Sequence, residues 1–207
     1  MKRTIIGAAL AVAALATAIP ATAASAESAN RGKPTLAEIL LADARWDDAA
    51  GFDKIPFDFD IVTQALLLFP DLVAAASDPN SDLTVFLPTD SAFRSLVKSL
   101  TGTAPRAEAD VFNAVAGLGV DTVKAVLTYH IIAGAIDYKT ALQADGAVLT
   151  TLNGASLTVD VKGRWFKSID LIDNDPDLTD PTIVFPNIRA SNGIAHAIDR
   201  VLLPINV

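Results

Sequence analysis

The hydrophobic pattern of residues 82–100 predicts a strand, a sharp corner and a helix. Residues 83–87 are a β-branched and aromatic run typical of a buried strand. Pro88 has no N–H with which to continue a hydrogen-bond ladder, so we expect the strand to end there. Apolar residues then recur at spacings of three and four, and Thr89 or Asp90 can accept hydrogen bonds from the first N–H groups of the helix.

Helical spacing appears on both sides of this junction, and strand spacing takes over later in the chain. Thr35 and Glu38 form a capping-box pattern at the start of one helix, and helical spacing returns at residues 59–69. Residues 157–162 alternate apolar and polar positions, and Asn153-Gly154 separates them from the strand-like residues 148–152, which predicts a hairpin with a type I′ turn. Further strand is expected at 182–185, at 188–190 and at 194–198.

The first residues have the pattern of a secretory signal peptide and are not expected to belong to the fold. Lys2 and Arg3 precede an uncharged apolar run at residues 5–18, and small residues follow at two sites that a signal peptidase reads. We expect cleavage after Ala26, with Ala23 as the second choice; a retained N-terminal membrane anchor is the alternative. Residues 1–26 are then the signal peptide, 27–34 a flexible tether and 35–207 one domain.

Composition excludes several classes of protein. The chain has no cysteine and only two histidines, so thiol catalysis, disulfides, thiolate metal sites and the usual zinc ligand sets are not expected. The formal charge of −8 becomes −10 when Lys2 and Arg3 leave with the signal peptide, which argues against binding to nucleic acid or to an anionic membrane surface. We expect no cofactor, no metal and no membrane anchor after cleavage, and therefore a released protein.

An irregular segment at residues 43–60 carries four aromatic residues interleaved with aspartates. The candidate ligand-facing residues are Trp46, Phe52, Phe57 and Phe59. If they are exposed and converge, they form a ligand surface. If they are buried, they are the hydrophobic side of an insertion that folds back on the domain, and we favour this second interpretation.

A second acidic segment, residues 170–180, raises the question of calcium. Asp173, Asp175 and Asp177 have the alternating spacing of a calcium loop. However, the position that needs glycine is Leu178 and the position that needs a closing glutamate is Val184, so an EF-hand is excluded. We favour a solvated acidic loop, with a looser oxygen site as the alternative.

Three motifs in order resemble those of fasciclin-like (FAS1) domains of the secreted bacterial type. Residues 84–93 (TVFLPTDSAF) are similar to the first box of that family, 127–134 (LTYHIIAG) to its tyrosine-histidine motif and 190–204 (ASNGIAHAIDRVLLP) to its second box. The resemblance implies an α+β fold in which a β-sandwich or wedge of short strands is flanked by several helices.

The resemblance also implies roles for particular residues. The structural set is the first-box corner, the brace of that corner and the second box, namely Thr89, Asp90, His130, Asn192, Gly193 and His196. In animal members the tyrosine-histidine neighbourhood and an aspartate-aliphatic pair before the second box are implicated in adhesion. The matching partner-binding candidates in this chain are Tyr129, His130, Ile131, Asn187 and Ile188, with asparagine replacing the aspartate.

We therefore expect a non-catalytic, secreted adhesion or interaction module that binds an extracellular protein or a cell-surface polysaccharide, as a monomer. The alternative is a secreted carrier that holds a small apolar or glycan ligand through the aromatic segment at residues 46–59. An enzyme would need Asp90, Ser91 and His130 to form a hydrolytic triad beside an oxyanion hole, and no other catalytic motif is present.

Overall fold

The computed structural model describes residues 32–43 and 51–205. The predicted signal peptide and Trp46 lie outside the described residues. Within them, the helices are α1 Leu36–Asp43, α2 Asp60–Leu67, α3 Pro70–Ser77, α4 Asp90–Thr101, α5 Glu108–Ala116, α6 Val120–Tyr129 and α7 Tyr138–Ala141. The strands are β1 Leu83–Pro88, β2 Ile131–Ala133, β3 Val148–Thr150, β4 Ser156–Lys162, β5 Ser168–Ile172, β6 Ile183–Ala190 and β7 Gly193–Ile198.

The predicted helix and strand boundaries are close to those observed in the first half of the chain. The capping box at α1 is present, since the Glu38 N–H donates to Thr35 Oγ1 at 3.2 Å and the Thr35 N–H donates to Glu38 Oε2 at 2.8 Å. Strand β1 ends at Pro88, and Thr89 is the N-cap of α4. Gly102 ends α4 in the left-handed conformation that glycine tolerates at a helix C-terminus.

The strands form two sheets, and the two strands in the middle of the larger sheet are the first and the last of the described strands. The larger sheet has the order β2-β1-β7-β6, and the smaller has the order β3-β4-β5. Strands β1 and β7 pair in parallel, with Leu83 opposite Gly193 and Phe86 opposite His196. Isolated bridges between Ile132 and Thr151 and between residues 170 and 182 link the two sheets at their edges.

Two hydrophobic cores lie on the two faces of the larger sheet. One lies between the helices and the sheet and contains Phe93, Leu96 and Val111. The other lies between the two sheets and contains Phe86 and Tyr129, together with inward residues of β4, β5 and β7. Because β7 is covered on both faces, all six of its residues are buried.

The hairpin predicted around Asn153-Gly154 is present, but its predicted turn type is wrong. Strands β3 and β4 pair antiparallel and Thr150 lies opposite Ser156, so residues 151–155 form a longer loop. Gly154 has φ +86°, whereas Asn153 does not have the positive φ that a type I′ turn requires. Instead, the Asn153 side chain closes the loop by accepting a hydrogen bond from the Ala155 N–H at 2.9 Å.

The observed fold confirms the expected α+β class, with short strands in a wedge of two sheets flanked by helices. Among the described helices, none is by itself long and apolar enough to span a membrane, although two bent helix pairs meet the length and composition together.

Candidate functional site

The corner between β1 and α4 is closed by the irregular segment that precedes α2. Thr89 Oγ1 accepts a hydrogen bond from the Ala92 N–H at 3.3 Å, which caps the helix. The two N–H groups before Ala92 donate outside the helix. The Asp90 N–H donates to the carbonyl of Asp58 at 3.1 Å, and the Ser91 N–H donates to the carbonyl of Pro56 at 2.8 Å. The first N–H groups of α4 therefore find their acceptors in Thr89 and in backbone carbonyls of the irregular segment.

The Asp90 carboxylate lies fully inside this corner. It is 0% exposed, and its Oδ1 accepts a hydrogen bond from the Ile61 N–H at the start of α2 at 2.9 Å. Burial raises the pKa of Asp90 well above its usual range, and the neighbouring carboxyl of Asp58 acts in the same direction. Asp90 thus fixes the position of α2 relative to α4.

His130 connects three segments that are distant in sequence. Its Nδ1 lies 2.7 Å from the carbonyl of Val126 in α6, and its Nε2 accepts a hydrogen bond from the Leu202 N–H at 3.0 Å. The proton is therefore on Nδ1 in the neutral ring. Burial lowers the pKa of His130 to about 4. The His130 carbonyl also accepts a hydrogen bond from the Phe86 N–H of β1, so this residue joins α6, β1 and the C-terminal segment.

His196 has a similar arrangement in β7. Its Nε2 lies 2.9 Å from the carbonyl of Ile136, and its Nδ1 accepts a hydrogen bond from the Asn187 N–H at 3.3 Å. Burial lowers the pKa of His196 as well. Asn187 lies at an irregularity of β6, has φ +63°, and its Oδ1 accepts a hydrogen bond from the Tyr138 N–H that begins α7.

Asn192 and Gly193 position the start of β7. The buried Asn192 side chain accepts a hydrogen bond from the Leu36 N–H of α1 at 2.9 Å and donates to the carbonyls of Ala76 and Asp78 at 2.8 and 3.0 Å. At Gly193 an added Cβ would lie 2.2 Å from the carbonyl oxygen of Leu83, so the close pairing of β7 with β1 requires glycine here.

The partner-binding candidates divide into buried and accessible residues. Tyr129 is 0% exposed, and its hydroxyl donates to the carbonyl of Ser156 at 2.6 Å. His130 is also buried, whereas Ile131, Asn187 and Ile188 are half-buried. A partner-binding role for these five residues stays a prediction. Tyr129 and His130 can act on a partner only through the surface that they support.

The aromatic residues of the irregular segment lie in different environments. Phe52 is buried and its ring centroid lies 5.7 Å from that of Phe112, which joins the segment to α5. Phe59 is half-buried against the same core, whereas Phe57 is 76% exposed. Trp46 lies outside the described residues. Of the three described rings, Phe52 is therefore part of the core, Phe59 is half-buried against it and Phe57 is exposed to solvent.

The acidic segment at residues 170–180 uses its carboxylates to organise its own backbone. Asp173 accepts hydrogen bonds from the N–H groups of Asp175 and Leu203, both at 2.8–2.9 Å. Asp175 accepts from the N–H groups of Asp177 and Leu178. These turns tie the segment to the chain after β7. Burial raises the pKa of Asp173 to about 6.

A hydrolytic triad is not assembled at the corner. Both ring nitrogens of His130 are engaged with backbone groups of Val126 and Leu202, so neither is available to take a proton from Ser91. Asp90 is directed to the start of α2 rather than to the imidazole.

An exposed aromatic pair at the tip of the β4–β5 hairpin was not among the site residues predicted from the sequence. Trp165 is 86% exposed and Phe166 is 95% exposed. The Arg164 guanidinium lies 5.9 Å from the centre of the Trp165 ring. Two adjacent aromatic residues directly after an alternating strand and a Gly-Arg pair were the available signal.

The arrangement defines a class of protein: an α+β domain in which the strands of the first and second boxes pair in parallel and both histidines hydrogen-bond to backbone groups in the interior. The chain belongs to the fasciclin family, since the Fasciclin domain model matches residues 60–204. The fold resembles that of a FAS1 domain pair from the insect cell adhesion molecule fasciclin I, with a TM-score of 0.58 at 18% identity, over 82% of this chain and 51% of that one.

Two proteins of Synechocystis sp. are similar in sequence. Protein sll1483 is 33% identical over 134 residues, which cover 65% of this chain and 61% of that protein. The uncharacterized protein sll1735 is 27% identical over 173 residues, which cover 82% of this chain and 98% of that protein. The chain thus spans less than two thirds of sll1483 and of the fasciclin I pair.

Proposed function

We propose that this protein is a secreted, non-catalytic adhesion or interaction module that binds an extracellular protein or a cell-surface polysaccharide. The tip of the β4–β5 hairpin, residues 162–167, is the recognition surface in this proposal. Family membership supports the general role, and the related fasciclin I domains come from a cell adhesion molecule.

The exposure of Trp165 and Phe166 is the observation that carries the proposal. Large aromatic side chains bury much apolar area when they are covered, and tryptophan is enriched among residues that dominate binding energy. At 86% and 95% exposure these two rings contribute almost nothing to the core. The face of the Trp165 ring that Arg164 does not cover is also suited to stacking on the apolar face of a sugar.

The hairpin presents these rings on a defined scaffold. Strands β4 and β5 pair from Thr158 opposite Ile172 out to Lys162 opposite Ser168. The Tyr138 hydroxyl of α7 donates to the carbonyl of Lys167 at 3.3 Å, which supports the tip from one side. Order in the free protein lowers the entropy lost on binding.

The charge at the tip is opposite to that of the whole chain. Lys162, Arg164 and Lys167 lie within six residues of one another in a protein whose formal charge is −8. Part of this charge is compensated, because Lys162 Nζ lies 2.6 Å from Asp170 Oδ2. The remaining cations favour an anionic partner, such as an acidic polysaccharide or an acidic protein surface.

A binding assay with matched variants tests this proposal. Mature protein, residues 27–207, is incubated with the producing cells' surface fraction after separation into protein and polysaccharide pools. We expect specific retention of one pool by wild-type protein and at least tenfold weaker retention by the Trp165→Ala/Phe166→Ala double variant. Phe57→Ala, which removes an exposed aromatic ring outside the tip, is the control and should bind normally. Full retention by the double variant would refute the role of the tip.

A groove elsewhere on the domain supports a second candidate function, that of a carrier for a small apolar ligand. The groove has a volume of about 740 Å³ and lies between α4, α5, α6 and the C-terminal segment. Leu100, Leu118, Val126 and Ile205 are among its mainly apolar lining residues. This volume is within the range of pockets that bind small molecules.

The carrier function predicts saturable binding of an apolar fluorescent probe, displaced by the natural ligand. Leu118→Glu places a charge at the groove and should abolish this binding, whereas Trp165→Ala should leave it unchanged. Absence of saturable probe binding by the wild-type protein would exclude the carrier function.

A further inference from the structure

Five acidic side chains converge where the irregular segment meets the corner. Carboxylate oxygens of Asp58, Asp60 and Asp90 lie within 4.8 Å of one another, and so do those of Asp53, Asp60 and Glu108. Asp60 belongs to both groups, so the five residues form one cluster, which we call the corner acidic cluster. Asp60, Asp90 and Glu108 are at most 3% exposed, so this is not an ordinary solvated acidic surface.

The fold itself brings these charges together. Asp60, Asp90 and Glu108 are the first residues of α2, α4 and α5, so three helix N-termini meet at the cluster. Each N-terminus supplies about half an elementary positive charge. Arg94 adds one cation, with Nη2 at 3.5 Å from Glu108 Oε1. Together these positive charges amount to about half of the five negative charges of the ionised cluster.

Two buried oxygens of the cluster lack a hydrogen-bond donor. Among the described residues, no donor reaches Asp90 Oδ2 or Glu108 Oε2. Asp90 Oδ1 by contrast accepts from the Ile61 N–H, and Asp60 Oδ2 accepts from the Asp53 N–H at 2.8 Å. A buried carboxylate oxygen without a donor is strongly unfavourable unless the carboxyl takes up a proton or a positive charge is bound beside it. The two oxygens belong to the two different groups of the cluster, so the need for positive charge extends across it.

The ligand chemistry favours calcium among the common cations. All candidate ligands are carboxylate oxygens, which hard cations prefer over the nitrogen and sulfur ligands of zinc. Ca²⁺ accepts six to eight oxygens at about 2.3–2.6 Å in irregular geometry, so opposed ligands lie up to about 5 Å apart. Mg²⁺ requires a near-ideal octahedron at about 2.0–2.1 Å, which five carboxylates from separate segments match poorly.

We propose that the corner acidic cluster binds a calcium ion, with Asp58, Asp60 and Asp90 as the central ligands and Asp53 and Glu108 completing the site. The ion fastens residues 51–59 to the N-termini of α2, α4 and α5. This site is distinct from the acidic segment at residues 170–180, whose carboxylates are engaged with their own backbone N–H groups.

Calorimetric titration of EDTA-treated mature protein with CaCl₂ tests the proposal, together with thermal unfolding at matched ionic strength. We expect saturable calcium binding to wild-type protein, an increase in Tm with calcium, and a much smaller effect of MgCl₂. Asp58→Asn should weaken calcium binding at least tenfold. Asp58 is half-buried and its backbone carbonyl keeps its bond to Asp90, so this variant should fold. Asp90→Asn, which keeps an acceptor for the Ile61 N–H, is a second variant with the same expected loss.

Asp177→Asn in the other acidic segment is the control and should bind calcium like wild type. If this control loses calcium binding while Asp58→Asn retains it, the ion binds elsewhere and the proposal is wrong. No calcium binding by the wild-type protein up to millimolar concentration would also overturn it. A higher Tm of Asp58→Asn in EDTA, without any calcium response of the wild type, would show that the cluster is neutralised by protons alone.

Discussion

The titration of His130 should give the protein a measurable dependence of stability on pH. The folded protein holds the His130 ring in its neutral form, because burial lowers its pKa to about 4 from an ordinary value of 6.5. As pH falls through 6.5, the unfolded chain takes up a proton that the folded chain does not, so the free energy of unfolding decreases. The neutral His130 ring makes its full contribution to the free energy of unfolding above pH 6.5. This contribution is smaller by about 2 kcal/mol at pH 5, and the loss levels off near pH 4 at about 3 kcal/mol.

Other buried groups titrate in the same range, so the wild-type curve alone does not isolate this effect. Burial raises the pKa of Asp173 to about 6, which increases the free energy of unfolding as pH falls from 6 towards 3.8. The difference between wild type and His130→Gln removes such shared contributions. Glutamine has no charge to gain, so the destabilisation of His130→Gln relative to wild type should be larger at pH 8 than at pH 5 by about 2 kcal/mol.

The assay is urea unfolding followed by circular dichroism at pH 5, 6, 7 and 8. Tyr129→Phe is the control, because it removes the hydrogen bond to the Ser156 carbonyl without removing a group that titrates below pH 8; burial raises the pKa of this tyrosine further. Its cost, about 1 kcal/mol, should not vary across this range. An equal destabilisation by His130→Gln at all four pH values would refute the assignment of a buried neutral imidazole.

Two further variants test the start of β7. Asn192→Ala should lower the free energy of unfolding by about 3 kcal/mol, because it removes three hydrogen bonds of a buried side chain, to α1 and to residues 76–78. Asn174→Ala, which removes one exposed hydrogen bond, should cost less than about 1 kcal/mol in the same urea titration, and similar costs for the two variants would contradict this role of Asn192. Gly193→Ala should lower Tm more than Gly134→Ala in thermal unfolding. Both glycines have positive φ, but only an added Cβ at Gly193 would lie 2.2 Å from a carbonyl oxygen, that of Leu83 in β1. Equal decreases in Tm would show that β1 can move aside.

The proposed tip and the proposed calcium site have separate consequences. The tip is at the end of the smaller sheet, whereas the corner acidic cluster lies at the helix N-termini beside β1. Loss of calcium binding in Asp58→Asn therefore does not predict loss of partner retention, and each proposal can fail alone.

The sequence by itself determined the local elements and the family. Pro88 ended β1 because it has no N–H for the ladder, Thr35 and Glu38 formed the capping box, and apolar spacing marked α4. Each of these outcomes depends on residues within a few positions of one another. The three motifs also identified the fasciclin family, which the match over residues 60–204 confirms.

Local pattern was insufficient where the partner is remote in the chain. Asn153-Gly154 favours a two-residue turn by itself, but Thr151 forms a bridge to Ile132, so the hairpin opens into a longer loop. The sequence placed Phe52, Phe57 and Phe59 in one segment, and only packing against α5 separated the buried ring from the exposed one.

Only the tertiary structure decided which residues meet. The parallel pairing of Leu83 with Gly193 joins segments more than a hundred residues apart, which no hydrophobic period encodes. The same folding brings Asp60, Asp90 and Glu108 to one point from three helices, and leaves Trp165 and Phe166 without a core to enter. Hydrophobic spacing specifies which face of an element is buried, but the neighbour that covers it is set by the packing of the whole domain.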